Sequence, residues 1–267
     1  MKKSKEKKNT RIARELTLVT QKDIPFSYRE AYNSLRTNIK FIAANENVNS
    51  FVVTSAMQME SKSNVAANLA ITLAEERKKV VLLDCDFRKP MIHCLLDVDI
   101  KGHGITDVLT GDCPLQEALY HHKDLMIDIM PVGTIPPNPT ELLSTARMQR
   151  LINALKEAYD YVIIDTPPVS VVTDAAIVGE MVDGAFLVVR SAYAPLEMLQ
   201  LAKEKLEDVD VKIFGIILSR FNVKRKGRES GYYYSYNDHY YSNDSEQKMS
   251  NDELVRQFQS FLLLTIF

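Results

Sequence analysis

The sequence predicts one α/β domain of three layers, α/β/α, around a mostly parallel central sheet. Three observations carry that expectation. Between about residues 28 and 220, short apolar runs alternate with amphipathic stretches, which is the pattern of βαβ units. The runs are rich in β-branched residues and nearly continuous in apolar character, as strands covered on both faces must be. They end in small, polar or acidic residues, and ligands of open α/β folds sit at those carboxyl ends.

In chain order, SFVVTS (50–55) is the first strand and an amphipathic helix covers 62–77. KVVLLD (79–84) and MIDIMP (126–131) follow as strands. PPNPTELL is a turn leading into a helical stretch at 141–158, with Thr140 as candidate cap. YDYVIID (159–165), DGAFLVV (183–189) and KIFGIIL (212–218) complete the strands, with helices expected at 173–181 and 195–208 between them. Beyond Arg220 the pattern ends in KRKGRES, a tyrosine-rich polar stretch and an apolar terminus. The expected organisation is a flexible basic arm at 1–26, the α/β domain at 27–222 and a flexible tail at 223–267.

Charge and hydropathy exclude several classes. With 33 basic and 35 acidic residues the net charge is −2, so the chain is no broadly basic nucleic-acid binder. The longest strongly apolar stretch, FLLLTIF, is far short of the roughly 20 residues that cross a bilayer. Residues 1–15 carry five Lys and two Arg against two Glu, with no apolar core after them, so they read as a mobile arm rather than a secretory signal, with weak attraction to anionic lipid as the sharper alternative. Cys85, Cys94 and Cys113 form no C-x-x-C pair and read as reduced thiols of a cytoplasmic protein.

The chemistry concentrates at strand ends. After the first strand comes TSAMQMESKSNVAANLA, the right place for a phosphate-binding loop, G-x-x-x-x-G-K-[ST]. Lys62 and Ser63 stand where the lysine would reach terminal phosphates and the hydroxyl would ligate Mg²⁺, and the following helix would aim its first amides at phosphate. The glycines are gone: Ser61 precedes the lysine, and Met59 and Gln58 occupy the bend. An L residue forced into left-handed backbone costs roughly 1–2 kcal/mol. The bland alternative is a solvated lysine at a helix start. VLLDCDFRKP places Asp84 and Asp86 two apart at a strand terminus, on one side of the strand if its period continues. Two such carboxylates need a cation, Mg²⁺ or Lys62, unless Asp84 caps a turn and Asp86 is solvated. YVIIDTPP ends in Asp165, the pattern of a metal-holding aspartate. His121 and His122 have no third ligand at usable spacing and read as exposed imidazoles.

These blocks resemble the cytoplasmic bacterial tyrosine kinases of capsular and exopolysaccharide assembly, which belong with the septum-site and partitioning ATPases among the deviant phosphate-loop proteins. The likeness runs from about Ser27 to Arg220. It is carried in order by EAYNSLRTNIKF, VTSAMQMESKSNVAANLA, VVLLDCDFRKP, GHGITDVLTG, PVGTIPPNPTELLST and YDYVIIDTPPV. The first of these resembles the family's helix before the first strand, here the stretch 28–43.

The resemblance implies that ATP and Mg²⁺ are the cofactors. It implies that Glu60, Ser61, Lys62, Ser63, Asn64 and Arg88 surround the nucleotide, and that Ser63, Asp86 and Asp165 hold the metal. Lys62, Asp84 and Asp86 would be catalytic, with Asp84 taking the tyrosine proton. The phosphoacceptors would be Tyr232, Tyr233, Tyr234, Tyr236, Tyr240 and Tyr241, whose spacing fits neither strand nor helix and whose polar neighbours favour an exposed segment. A membrane-bound adaptor that controls polysaccharide chain length, a homo-oligomer and protein tyrosine substrates are the implied partners, with recruitment to the inner face of the membrane. Three departures stand out. The loop glycines are replaced. The family's E-x-x-R-x-x-R reads Glu30, Asn33 and Arg36. Ser219 stands where relatives often place an adenine-reading asparagine. The alternative reading is a catalytically impaired relative serving as a regulatory or scaffolding partner. A partitioning or septum-site ATPase would have no reason for a tyrosine cluster.

Overall fold

The computed structural model describes residues 17–100, 102–220 and 262–265. Its strands are β1 (Ser50–Ser55), β2 (Val80–Asp84), β3 (Tyr120–His122), β4 (Ile127–Met130), β5 (Tyr161–Asp165), β6 (Ala185–Arg190), β7 (Ile213–Ser219) and β8 (Leu262–Thr265). They form one sheet in the order β3-β4-β2-β5-β1-β6-β7-β8. Every pairing is parallel except β3 with β4. All six expected strands are present. The two additions escaped notice for different reasons: YHH is short and polar, and LLLT lies apart from the domain in sequence. β8 pairs with β7, Gly215 opposite Leu262, so part of the stretch read as tail is a sheet strand.

Period-two alternation divides the strands between two cores. Phe51, Val53, Leu82 and Ile163 face a cluster with Tyr32, Leu35 and Ile39 of α1 (Phe26–Glu46) and the buried residues of α2 (Lys62–Ala74). Val52, Val81, Leu83 and Ile164 face the opposite cluster, with Met148, Leu151, Ile152 and Leu155. Three short helices intervene in chain order: α3 (Ile92–Leu95), α4 (Ile105–Thr110) and α5 (Pro139–Leu143). Then come α6 (Ala146–Ala158), α7 (Asp174–Gly179) and α8 (Leu196–Glu207). The three layers are those expected.

The stretch 141–158 divides in two because Thr145 starts a new helix, its hydroxyl accepting from the Met148 amide. Thr140 is not a cap, since Asn138 takes that place, Pro139 begins α5, and the Thr140 hydroxyl donates to Asp174 instead. Residues 17–25, read as the end of a flexible arm, pack on the domain. Val19 is buried and its amide donates to Asn68 Oδ1 at 2.7 Å, while Asn64 and Asn68 both donate to the Thr17 carbonyl. The blocks GHGITD and PVGT meet at Gly104 and Gly133. A Cβ on Gly104 would lie 2.2 Å from the Gly133 nitrogen, so only glycine permits that approach.

Candidate active site

Because β5 lies between β1 and β2, the loop after β1 meets both acidic strand tips. Asp165 is the register partner of Asp84 on one side and of Val53 on the other. Lys62 opens α2 above them. Its ammonium lies 3.0 Å from Asp86 Oδ2 and 3.6 Å from Asp165 Oδ1, and donates to Ser63 Oγ at 3.2 Å. Burial works against this ammonium, yet the Asp165 and Asp86 charges hold its pKa above the ordinary value. Lys62, Ser63, Asp84, Asp86 and Asp165 thus form one cluster, and the solvated-lysine alternative does not describe it.

The bend before Lys62 keeps the backbone that glycines usually supply: Met59 has φ 68° and Ser61 φ 70°. Each departs from the region favoured by L residues at a cost of about 1–2 kcal/mol. Glu60, between them, is 1% exposed. Its Oε2 accepts from the Met57 amide at 2.6 Å and its Oε1 from the Arg190 amide at 3.1 Å.

Asp84 is fully buried. Its Oδ2 accepts from the amides of Met91 and Ile92, both at 3.0 Å, and its Oδ1 from that of Asp86 at 3.3 Å. Such a carboxylate shapes the turn after β2, and Oδ1, with its single long hydrogen bond, keeps a lone pair free. β2 ends at Asp84, so strand alternation does not place Asp86. Asp84→Asn is therefore expected to destabilise the fold by about 1–3 kcal/mol, because an NH₂ would face backbone donors. A thermal melt indistinguishable from wild type would contradict this.

Both carboxylate oxygens of Asp165 are buried without a hydrogen-bond partner. Burial raises the pKa of Asp165, with Lys62 opposing, and burial together with the Asp165 charge raises that of Asp84. Orphaned carboxylate oxygens beside a serine hydroxyl and a second aspartate suit Mg²⁺, which keeps several waters and takes one or two carboxylates along with substrate phosphates. Among the described residues no three His, Cys, Asp or Glu side chains form a protein-only metal cage. Ser63, Asp86 and Asp165 are the residues that would hold the ion.

Other expected residues are engaged elsewhere. The Arg88 guanidinium pairs with buried Asp174, Nε to Oδ2 at 2.9 Å, and also donates to Thr140 Oγ1. This Arg88–Thr140–Asp174 link was not legible in the sequence, since its members are scattered along the chain. The side chain of Asn64 serves Thr17, Tyr28 and Asn68, leaving only its backbone amide for a ligand. Ser219 Oγ donates to the Glu60 carbonyl at 2.8 Å. Asn33 donates to Glu30, whereas Arg36 binds the Thr72 carbonyl and pairs with Glu75 and Glu76. His121 pairs with Asp128, and His122 Nδ1 accepts from the Leu125 amide. The six clustered tyrosines and residues 1–16 lie outside the described residues.

Comparisons with known proteins agree with this geometry. A family model described as an AAA domain matches residues 60–209. The chain is 39% identical to the tyrosine-protein kinase YwqD of Bacillus subtilis over 204 residues, 76% of this chain and 85% of that protein. The kinase domain of the Escherichia coli tyrosine kinase ETK superposes with a TM-score of 0.69 at 33% identity, covering 76% of this chain and 80% of that one. The septum site-determining protein MinD of Pyrococcus horikoshii, solved with Mg-ADP, gives 0.55 at 25% identity over 64% of this chain and 69% of its own. A lysine, a serine and paired aspartates gathered over the tips of β1, β5 and β2, together with kinship spanning most of YwqD, make the chain a member of the bacterial tyrosine-protein kinase family, built on the phosphate-loop α/β fold.

Proposed function

We propose that the chain binds ATP with Mg²⁺ at the Lys62 loop and transfers the terminal phosphoryl group to tyrosines of its own segment 232–241 and of other proteins, regulating capsular or exopolysaccharide synthesis and export. The observation that carries this reading is the bend itself. Met59 and Ser61 hold positive φ without being glycines, and Lys62 stays at the head of α2 between Asp86 and Asp165. A loop degenerating toward a scaffold role would have no reason to keep that strained conformation.

In this mechanism catalysis is mainly positioning and charge neutralisation. Lys62 and the first amides of α2 receive phosphate oxygens. Ser63, Asp86 and Asp165 hold Mg²⁺, which supplies neutralisation of the phosphate charge when bound. Asp86 Oδ2 pairs with Lys62 at 3.0 Å and its Oδ1 accepts from the Lys89 amide at 3.0 Å, which fits a carboxylate that serves the lysine and the metal, so the tyrosine proton is assigned to Asp84. Asp84 also holds the turn that carries Asp86.

Each phosphate adds about −1.5 to −2 charge. Several of them would repel the tail from a site that holds three aspartates, and modification then ejects the tail and loosens the homo-oligomer. The test is phosphotyrosine content and native mass after Mg-ATP treatment, for wild type and for a variant with Tyr232, Tyr233, Tyr234, Tyr236, Tyr240 and Tyr241 all changed to Phe. Near-complete loss of phosphotyrosine is expected, and accumulation at the wild-type level would overturn the assignment of acceptors.

Among the described residues no helix is long and apolar enough to cross a membrane. Recruitment to the inner face of the membrane is assigned to an adaptor's cytoplasmic segment, with α1 as the surface it meets. A variant lacking residues 1–16 leaves the Thr17 and Val19 anchors in place. It should still reach the membrane in cells that contain the adaptor, and its loss to the soluble fraction would assign recruitment to the basic arm.

A further inference from the structure

Two L residues in left-handed backbone do not hold that conformation unaided, and the neighbours of the bend show what holds it. Its entry is tied by hydroxyls: Ser55 Oγ donates to the Met57 carbonyl at 2.7 Å, and Ser170 Oγ donates to that of Ala56. Its exit runs directly into α2, where the Val65 amide donates to the Ser61 carbonyl at 2.9 Å. Between these ends the only inward side chain of the bend is Glu60. Its carboxylate spans the Met57 amide, within the bend, and the Arg190 amide, at the end of β6. Its carbonyl accepts from Ser219 Oγ, at the end of β7. Outside this core, Arg220 Nε donates to Ser61 Oγ at 3.2 Å.

We propose that Glu60 is a positioning residue that clamps the glycine-free bend to the ends of β6 and β7, so that Met59 and Ser61 keep the backbone a phosphate site requires. This inference rests on reading the Lys62 loop as a nucleotide site. It assigns Glu60 no contact with nucleotide: both carboxylate oxygens are taken by amides, and the residue is 1% exposed. The chemistry fits a carboxylate. Two amides, one within the bend and one at the end of β6, need two acceptors on one planar group, which a glutamine cannot offer because its NH₂ would oppose one of them. The device makes glycine dispensable here.

The test compares Mg-ADP affinity across four full-length proteins: wild type, Glu60→Ala, Met59→Gly with Ser61→Gly, and all three changes together. In the native loop Glu60→Ala should weaken binding about tenfold or more, whereas in the glycine loop it should weaken binding less than about threefold, because the strain it opposes is gone. A merely structural glutamate would weaken both backgrounds equally, and that result overturns the inference. Hydrogen exchange in the nucleotide-free protein reads the clamp independently. The Met57 and Arg190 amides should lose protection in Glu60→Ala, and unchanged protection overturns the clamp. Should Glu60→Ala fail to fold, Glu60→Gln takes its place, with an intermediate loss that glycine restoration again relieves. A wild type that binds no Mg-ADP defeats the nucleotide-site reading, and this inference with it. A wild type that binds while the two losses are equal defeats the inference alone.

Discussion

Lys62→Ala is expected to abolish measurable Mg-ATP binding by calorimetry and phosphoryl transfer with it. The ammonium is the sole cation seen in contact with Asp86 and Asp165 among the described residues, and it stands where the terminal phosphates must lie. The same change should destabilise the nucleotide-free protein, since removing one partner of a buried ion pair costs about 3–5 kcal/mol when the remaining charge has no other partner. Here Asp84 and Asp165 can take up protons, which reduces the penalty as pH falls. The melting temperature of the variant should therefore approach that of wild type in mild acid and fall behind it at neutral pH. Wild-type ATP affinity in Lys62→Ala would contradict the account.

Asp165→Asn should act in the opposite direction on stability while still damaging function. The wild-type carboxylate is fully buried with two oxygens lacking hydrogen-bond partners, and burial pushes its pKa up to about 6. A folded-state pKa raised above the unfolded value of 3.8 gives stability that is fully present below 3.8 and lost as pH rises through about 6. At pH 7.5 the nucleotide-free Asn variant should therefore be more stable than wild type by about 1–3 kcal/mol, a gain that disappears near pH 4. The variant should also lose the dependence of nucleotide affinity on Mg²⁺, because the orphaned oxygens that suit the ion are gone. Thermal melts at the two pH values and titrations with and without Mg²⁺ check both parts. A variant less stable than wild type at pH 7.5, or an undiminished response to Mg²⁺, would contradict the role given to Asp165.

How much of this was legible in the sequence follows from the physics of each feature. Buried parallel strands announce themselves as continuous apolar runs, so all six strands of the central sheet and the acids at their tips could be placed. Lys62, Ser63, Asp86 and Asp165 were legible because strand ends converge in an open α/β sheet whatever the strand order. The engagement of Asp84 was not, since its three donors come from a turn whose path no periodicity encodes. The resemblance sets Arg88 beside the nucleotide, and its pairing with Asp174, 86 residues away, is a contact no local pattern encodes. The resemblance likewise sets Glu60 beside the nucleotide, and only tertiary structure shows its side chain turned inward. Asn64 shows the converse case, on a helix whose residues Asn64–Ala74 are all buried and whose polar face is consumed by the segment around Thr17.

The central claim is that a phosphate loop without its glycines still transfers phosphoryl groups to tyrosine. The most direct test is mass spectrometry of the purified full-length protein, first dephosphorylated and then incubated with Mg-ATP, alongside Lys62→Ala treated identically. The account predicts phosphotyrosine within residues 232–241 of the wild type, absent without Mg²⁺ and absent from Lys62→Ala. Wild-type protein that binds Mg-ATP yet acquires no phosphotyrosine, or a Lys62→Ala variant that acquires as much, would contradict it.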